Sequence, residues 1–385
     1  MQSLVYLDAN ATTPIDPRVA EAMLVASMDL PGNPSSGHSA GRAARRALEA
    51  ARGDVAALIG ASRPDEILFT SGGSESNLTA IRASLAARPG RHTVVTSTIE
   101  HASIHATLNQ LATIDGVAVR RVPVDGCGRL DLEAYQAALG SDVALVTLMS
   151  ANNETGTLFP IPDLVPAAHA VGALFHTDAV QAAGRTDIGV TASGVDMASL
   201  SAHKLHGPKG VGALYLRHGT PFSSLVTGGG QERGRRAGTE NVPGIVGFGV
   251  AASLVRTEAD RTCLAALRDR LEATIAAVLP DVVVLGDRHH RLANTACLAF
   301  PGADAEMMLD RLDRAGVAAS AGSACAAGGR QPSRVLVAMG QGGFARSTIR
   351  FSLSRFNSDA DIDRLLTVLP SIAREARVPL AEAAA

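Results

Sequence analysis

The sequence predicts an α/β fold: a mostly parallel central sheet in a large domain, covered by helices on both faces, plus a smaller α+β domain. Three observations predict it. Short β-rich runs alternate with helical stretches up to about residue 250. Those runs are apolar throughout rather than alternating, as strands buried on both faces are. Beyond that point the pattern changes to a long Ala-, Leu- and Arg-rich stretch followed by shorter strand candidates. The 385 residues suit two domains and can bury a large core.

In chain order, Asp16-Pro17 opens a helix, with Asp as N-cap and Pro in the first turn. Ser39–Ile59 reads as a second helix, and Gly60 stands where a C-terminal cap belongs. Strand candidates follow at Glu66–Thr70, Thr93–Thr98, Val143–Met149, Ala173–His176, Met197–Leu200 and Gly212–Leu216. Apolar runs separated by helices imply a sheet with both faces covered. Leu254–Val278 reads as one long helix, and Val282–Val284, Thr295–Phe300 and Ser347–Leu353 as strands. The pattern places a domain boundary near residue 258, giving a large unit over 16–258 and a smaller one from 1–15 and 259–385. The Ala-rich end, Pro379–Ala385, reads as frayed.

Charge and composition narrow the function. Hydrophobic residues make up 46% and charged residues 19%, a globular balance. A net charge of −2 gives no general attraction to nucleic acid or to an anionic membrane. No run is apolar enough to span a membrane, and the start MQSLVYLDANATTP does not read as a signal peptide, so a soluble cytoplasmic protein is expected. The four cysteines, Cys127, Cys263, Cys297 and Cys325, form neither a metal knuckle nor a disulfide framework.

Several residues could carry chemistry. Lys204, in Ser201-Ala202-His203-Lys204-Leu205-His206-Gly207-Pro208-Lys209, follows the Met197–Leu200 strand and so stands over the crevice at a strand end. Its neighbours His203 and Lys209 would depress its pKa or favour a bound anion, either of which suits Schiff-base chemistry. A plain surface lysine in a Gly/Pro turn is the competing reading. Asp178, 26 residues earlier, closes an apolar run, where a buried carboxylate needs a partner. A protonated pyridinium nitrogen is a suitable one, and capping of the next helix is the alternative. Ser71-Gly72-Gly73-Ser74 joins a strand to a helix and offers backbone N–H groups to a phosphate, or is only a tight turn.

His101 could stack on a ring or move protons near neutral pH, although a lone His is more often structural. Arg350 alternates with apolar neighbours and wants a carboxylate, either a substrate's or a structural partner's. Cys325 lies in a small-residue stretch, Ala319–Gly329, that suits an exposed travelling nucleophile. Cys297 sits in a strand and Cys263 in a helix, both as packing residues, and Cys127 in a hairpin turn.

Taken together these segments resemble the cysteine desulfurases, in the class V aminotransferase group of fold-type I pyridoxal-phosphate enzymes. The resemblance runs from Tyr6–Pro14 and Gly32–Ser36 through Ser71–Asn77, Glu100-His101, Asn152–Gly156, His176–Gln181 and Ser201–Gly210. It continues through Gln231–Asn241 and Gly322–Cys325 to Ile349–Leu353. It implies pyridoxal 5'-phosphate on Lys204, with Asp178 at the pyridinium nitrogen and Gln181 at the ring hydroxyl. Asn153 would sit by that hydroxyl and the substrate carboxylate, and His101 would stack on the ring. Gly73, Ser74, Ser201 and His203 would hold the phosphate, with Thr239 reaching the phosphate of the neighbouring subunit in a homodimer. Arg350 would clamp the carboxylate of L-cysteine, and Cys325 would take its sulfur as a persulfide, leaving L-alanine.

No metal is required by this reading, although Cys325 could transiently share an iron–sulfur cluster. The persulfide would serve an iron–sulfur scaffold or another sulfur-acceptor protein. The long stretch after Cys325 resembles the branch that serves iron–sulfur assembly. Thr157–Ile161 and Gln231–Asn241 look most like the nitrogen-fixation-associated members. Ala9 and the Ala326-Ala327 pair depart from the usual residues, and neither removes a reacting group. The rivals are another class V enzyme (an aminotransferase, a cysteine lyase or a selenocysteine lyase) and a scaffold that has lost the chemistry. The rival enzymes need Lys204 but no acceptor thiol, and the co-presence of Lys204, Asp178, His101 and Cys325 argues against an inert scaffold.

Overall fold

The computed structural model describes residues 4–258, 261–321 and 332–377. In chain order β1 (Val5–Tyr6), α1 (Pro17–Asp29) and α2 (Ser39–Ile59) precede the first sheet strand, β2 (Ile67–Thr70). Then follow α3 (Gly73–Ala87), β3 (Thr93–Ser97), α4 (Ala102–Ile114), β4 (Ala118–Val122), α5 (Leu132–Ala138) and β5 (Val143–Met149). Next come α6 (Ile161–Ala170), β6 (Leu174–Asp178), α7 (Val190–Ser193), β7 (Met197–Ser201), β8 (Gly212–Leu216) and α8 (Val242–Glu258). These β–α alternations close a seven-stranded sheet in the order β2-β8-β7-β6-β5-β3-β4. It is parallel except for β8, which runs against both of its neighbours. Every residue of β2, β3 and β5 to β8 is buried, as the unbroken apolar runs require.

The remaining elements are α9 (Arg261–Val278), β9 (Val283–Val284), β10 (Thr295–Ala299), α10 (Ala305–Arg314), β11 (Val317–Ala318), β12 (Ser320–Ala321), α11 (Arg334–Ala338), β13 (Thr348–Ser352) and α12 (Asp359–Glu375). An antiparallel sheet orders them β12-β13-β10-β9, while β11 pairs in parallel with β1. One buried cluster lines one face of the large sheet, with Leu48, Val146, Phe175 and Tyr215 among its members, and Leu68, Ile81, Val94 and Leu145 belong to the cluster on the other face. A second gathers Val5, Leu7, Leu271, Phe300, Phe351 and Leu365 around the smaller sheet.

All six strands expected in the first 250 residues form, within one or two residues of their expected ends. The caps also form: Asp16 accepts from the N–H of Arg18, and Gly60 adopts φ 67°, where a side chain would be strained. Two features differ. β4 carries Arg120 and Arg121 on a sheet edge and lacks an apolar run, so its sequence gives no strand signal. The single helix expected over Leu254–Val278 is instead α8, which packs on α1 and α2, followed by α9, which packs on α12. Both sides of the junction are rich in helix formers, so composition cannot register a change of packing partner. Glu258, at the end of α8, is held by Arg18 and Arg355, each at 2.6 Å. No helix among the described residues is long and apolar enough to cross a membrane.

A buried ion pair fastens α2 to the turn that follows the sheet. Arg52 is 2% exposed and meets Glu232 through two bonds of 2.8 Å each, while also donating to the carbonyl of Ile67 at 2.7 Å. Glu232 in turn accepts from the N–H of Phe69 in β2 at 3.0 Å and takes a left-handed backbone, φ 47°. Arg52→Ala leaves an uncompensated anion in the core, and its expected cost is about 3–5 kcal/mol. Denaturant unfolding of the two proteins measures it. A change below about 1 kcal/mol would mean that Glu232 finds water or another donor.

Candidate active site

The parallel strands deliver their carboxyl ends to one crevice, and the chemistry-bearing residues lie on the turns that leave them. A cleft of about 200 Å³ is lined by Gly73 and Ser74 after β2, His101 after β3, Asn153 after β5, Asp178 and Gln181 at the end of β6, and Ser201, His203 and Lys204 at the end of β7. Arg350 reaches it from β13 of the smaller sheet. Ten of the twelve residues singled out from sequence therefore share one cavity. Thr239 does not. It lines a neighbouring depression with Thr70, Ser71 and Arg236. Cys325 lies outside the described residues, as do Gly322–Ala324 before it and Pro379–Ala385 at the end.

At one end of the cleft, α3 begins. No side chain caps it, so the N–H groups of Gly73, Ser74 and Glu75 have no acceptor within the helix. A Cβ on Gly73 would lie 2.8 Å from Cγ2 of Val180, so only glycine lets the helix start this close to β6. Beside it, Gly212 permits the Gly72 turn to lie against β8, since a Cβ there would meet the Cα of Gly72 at 2.6 Å. Bare helix N–H groups with Ser201 and His203 alongside make a suitable seat for a phosphate. Burial, and then the charges of Lys204 and Lys209, push the His203 imidazole down to about 4, so it is neutral near pH 7. Its Nδ1 lies 3.0 Å from Oγ1 of Thr12.

At the other end, Asp178 is 6% exposed. Its Oδ2 accepts from Nδ2 of Asn77 at 2.7 Å and its Oδ1 from the N–H of Val180 at 3.0 Å. Asn77 Nδ2 also donates to Oγ of Ser103 at 3.0 Å, and that hydroxyl is 2.8 Å from Nδ1 of His101. The N–H of Ser103 donates to the same Nδ1 at 3.2 Å, which places the proton of a neutral His101 on Nε2. Asn77 is among the residues that line the cleft, and its buried Oδ1 has no partner among the described residues. Two carboxylate bonds leave Asp178 with lone pairs for a further donor, which a protonated ring nitrogen would satisfy.

Lys204 Nζ donates to the carbonyls of Asn10 and Ala11, at 2.5 and 2.7 Å. Gln181 donates to the same Asn10 carbonyl at 2.9 Å and accepts from Arg185. Arg350 is 2% exposed, pairs with Asp8 at 2.7 Å and donates to the carbonyl of Asn153 at 3.1 Å, while its buried Nε has no partner among the described residues. It is thus both ion-paired and cleft-lining, a combination of the two readings its sequence left open. Taken together, bare helix donors, an ion-ready carboxylate, an amine and a guanidinium around one cleft fit pyridoxal phosphate.

The sequence assigned no role to Asn77, Asn10 or Ser103. Asn77 stands one helical turn after Gly73, on the same face of α3, and that spacing could have found it. Asn10 holds the site together by contacts with residues far along the chain, among them Thr295 and Asn294, for which the sequence carries no signal. Of the other cysteines, Cys297 is buried in β10 and its thiol is pushed up to about 12 by burial, as a packing residue's would be. Cys127 sits in the turn between the bridged residues Val124 and Leu130. Cys263 is exposed on α9 rather than packed, because only one face of that helix meets the core.

Comparison with known proteins gives the same picture. Residues 5–365 match the family described as aminotransferase class-V. The chain is 56% identical over 375 residues to a cysteine desulfurase of Cereibacter sphaeroides, covering 97% of this chain and 96% of that one. It is 50% identical over 376 residues to the cysteine desulfurase NifS of Azotobacter vinelandii, covering 97% and 93%. A solved NifS-like protein superposes with a TM-score of 0.90 at 35% identity, over 97% of this chain and all of the other. The chain belongs to the aminotransferase class-V family and, within it, to the cysteine desulfurases, enzymes that work with pyridoxal phosphate.

Proposed function

We propose that this desulfurase holds its cofactor through Lys204, Asp178, His101 and the first turn of α3, and passes the sulfur of L-cysteine to Cys325. The observation that carries the reading is the convergence of Lys204, Asp178 and His101 on one cleft whose far end is an uncapped helix N-terminus. Once bound, pyridoxal phosphate supplies an electron sink that draws charge from the substrate carbon. Asp178, fixed by Asn77 and Val180, keeps a proton on the ring nitrogen. Gln181 and Asn153 meet the ring hydroxyl, and His101 stacks on the ring. Ser201, His203 and the N–H groups of Gly73 and Ser74 hold the phosphate. Lys204 ties the cofactor and moves protons at Nζ. Arg350 and Asn153 bind the carboxylate of L-cysteine. The Cys325 thiolate attacks the substrate sulfur, an S–S bond forms and the C–S bond breaks. The carbon left behind takes up a proton, giving L-alanine and a persulfide.

The same reading gives a homodimer in which Thr239 serves the partner subunit's phosphate, since Thr239 lies away from the cleft of its own chain. It gives a large domain over residues 16–258 and a smaller one from the rest; the cluster of Val5, Leu7 and residues beyond 264 supports the smaller unit, and the cluster on the large sheet also takes in Leu285, Cys297 and Val335. It gives a cytoplasmic enzyme whose persulfide goes to an iron–sulfur scaffold or another acceptor protein, nitrogenase maturation included.

The test is to incubate the holoenzyme with L-cysteine without reductant, measure alanine and search the Cys325 peptide for added sulfur by mass spectrometry. Alanine with an adduct on Cys325 is the expected result. Cys325→Ala should keep the cofactor's visible band and lose alanine formation by about 10³-fold or more, as removal of a nucleophile does. Release of pyruvate, or transfer of the amino group, with Cys325 unmodified would move the chain to a lyase or an aminotransferase.

A further inference from the structure

Glu100 stands between β3 and α4, next to His101, and the chemistry described so far makes no use of it. It is 2% exposed. Its Oε1 accepts from Oγ of Ser97 at 2.6 Å and from the N–H of Met149 at 3.1 Å. Its Oε2 is buried and has no hydrogen-bond partner among the described residues. Met149 is the residue of β5 that pairs directly with Asp178 of β6. Glu100 therefore sits under the strand ends that carry Asp178.

A buried carboxylate with two donors and an unpaired oxygen is costly to ionise. The titratable groups on the elements packed here are Asp178 and His176 on β6 and His101 and His105 on its own loop and α4. Among them Asp178 acts on Glu100 with a charge of the same sign. His176 is buried and neutral near pH 7, held down to about 4, so it offers no compensation. When two carboxyl groups share one site, only one ionises readily. Both oxygens of Asp178 accept a hydrogen bond, whereas one oxygen of Glu100 accepts none among the described residues.

We infer that Glu100 is a positioning residue kept as a neutral carboxylic acid, which leaves Asp178 the sole anion at that end of the cleft. The inference rests on the role proposed for Asp178. A second anion there would oppose the negative charge that develops toward the cofactor ring during the reaction. The neutral acid keeps Met149 and its neighbours in register without adding that charge. Burial, with Asp178 adding to it, raises the Glu100 carboxyl to about 8, so the arrangement lasts through the neutral range and fails in alkali.

The test is infrared difference spectroscopy of the holoenzyme against Glu100→Gln at pH 6.5 and pH 9.5, in water and in deuterium oxide. The wild-type protein should show the C=O stretch of a protonated carboxyl group at the lower pH. That band should shift in deuterium oxide, disappear at the higher pH and be missing from the variant. Burial also raises the Glu154 carboxyl, to about 7, so a Glu154→Gln protein, in which the remaining band belongs to Glu100, decides the point if Glu100→Gln folds poorly. The pH profile of kcat/KM gives a second reading: an alkaline fall near pH 8 in the wild type that Glu100→Gln lacks. No protonated-carboxyl band at pH 6.5, or an alkaline fall that survives Glu100→Gln unchanged, would overturn the inference. Failure of the Asp178 reading is distinguishable, since it shows in Asp178→Asn kinetics and leaves the Glu100 band untouched.

Discussion

Lys204→Ala is expected to lower kcat/KM for alanine formation by about 10⁴-fold or more, since in the proposed mechanism it removes both the covalent tie to the cofactor and the amine that moves protons. The fold should survive. Lys204 Nζ donates to the backbone carbonyls of Asn10 and Ala11, and the Asn10 carbonyl keeps its bond from Gln181. Circular dichroism and thermal unfolding should therefore change little while turnover and the visible band of the lysine-bound cofactor are lost. Turnover within tenfold of wild type would mean that another amine carries the cofactor.

Asp178→Asn is the second large effect. The substitution keeps the shape of the side chain and removes its charge. The new amide can keep one of the two bonds that Asn77 and Val180 now make to the carboxylate oxygens, with its NH₂ group turned toward the other donor. Loss of a charged partner aimed at developing charge typically costs about 10²–10³-fold in kcat. The fall should appear in kcat far more than in KM, because the proposed mechanism gives Asp178 to the cofactor and Arg350 to the substrate's carboxylate. Steady-state kinetics with L-cysteine, together with cofactor content, separates this from simple loss of pyridoxal phosphate. Activity within threefold of wild type would remove Asp178 from the machinery.

Much of this arrangement is legible in the chain because its signals are local. The strand runs are contiguous, the helix starts at Asp16 and the helix end at Gly60 are written in single residues, and Lys204, His101 and Gly73 each follow directly on the strand that positions them. The resemblance to the desulfurases rests on motifs of the same short kind. Less of the site's supporting chemistry is local. Ser103 and Asn77, which link His101 to Asp178, are ordinary polar residues on two different helices until the fold brings them together. Asp8 looks unrelated to Arg350, yet the two pair at 2.7 Å across 342 residues of chain.

By itself, then, the sequence determined the α/β alternation, the ends of most strands and ten of the residues that line the cleft. Periodicity, capping and strand-end placement act over a few residues, and the chain displays them directly. Only the tertiary structure decided that β8 runs antiparallel, that Arg120 and Arg121 lie on an edge strand, and that the stretch around Glu258 divides between two packing partners. It alone decided that Glu100 is buried beside Asp178 with an oxygen unpaired. Burial and charge proximity are properties of surfaces that meet across the chain, and no local pattern encodes them.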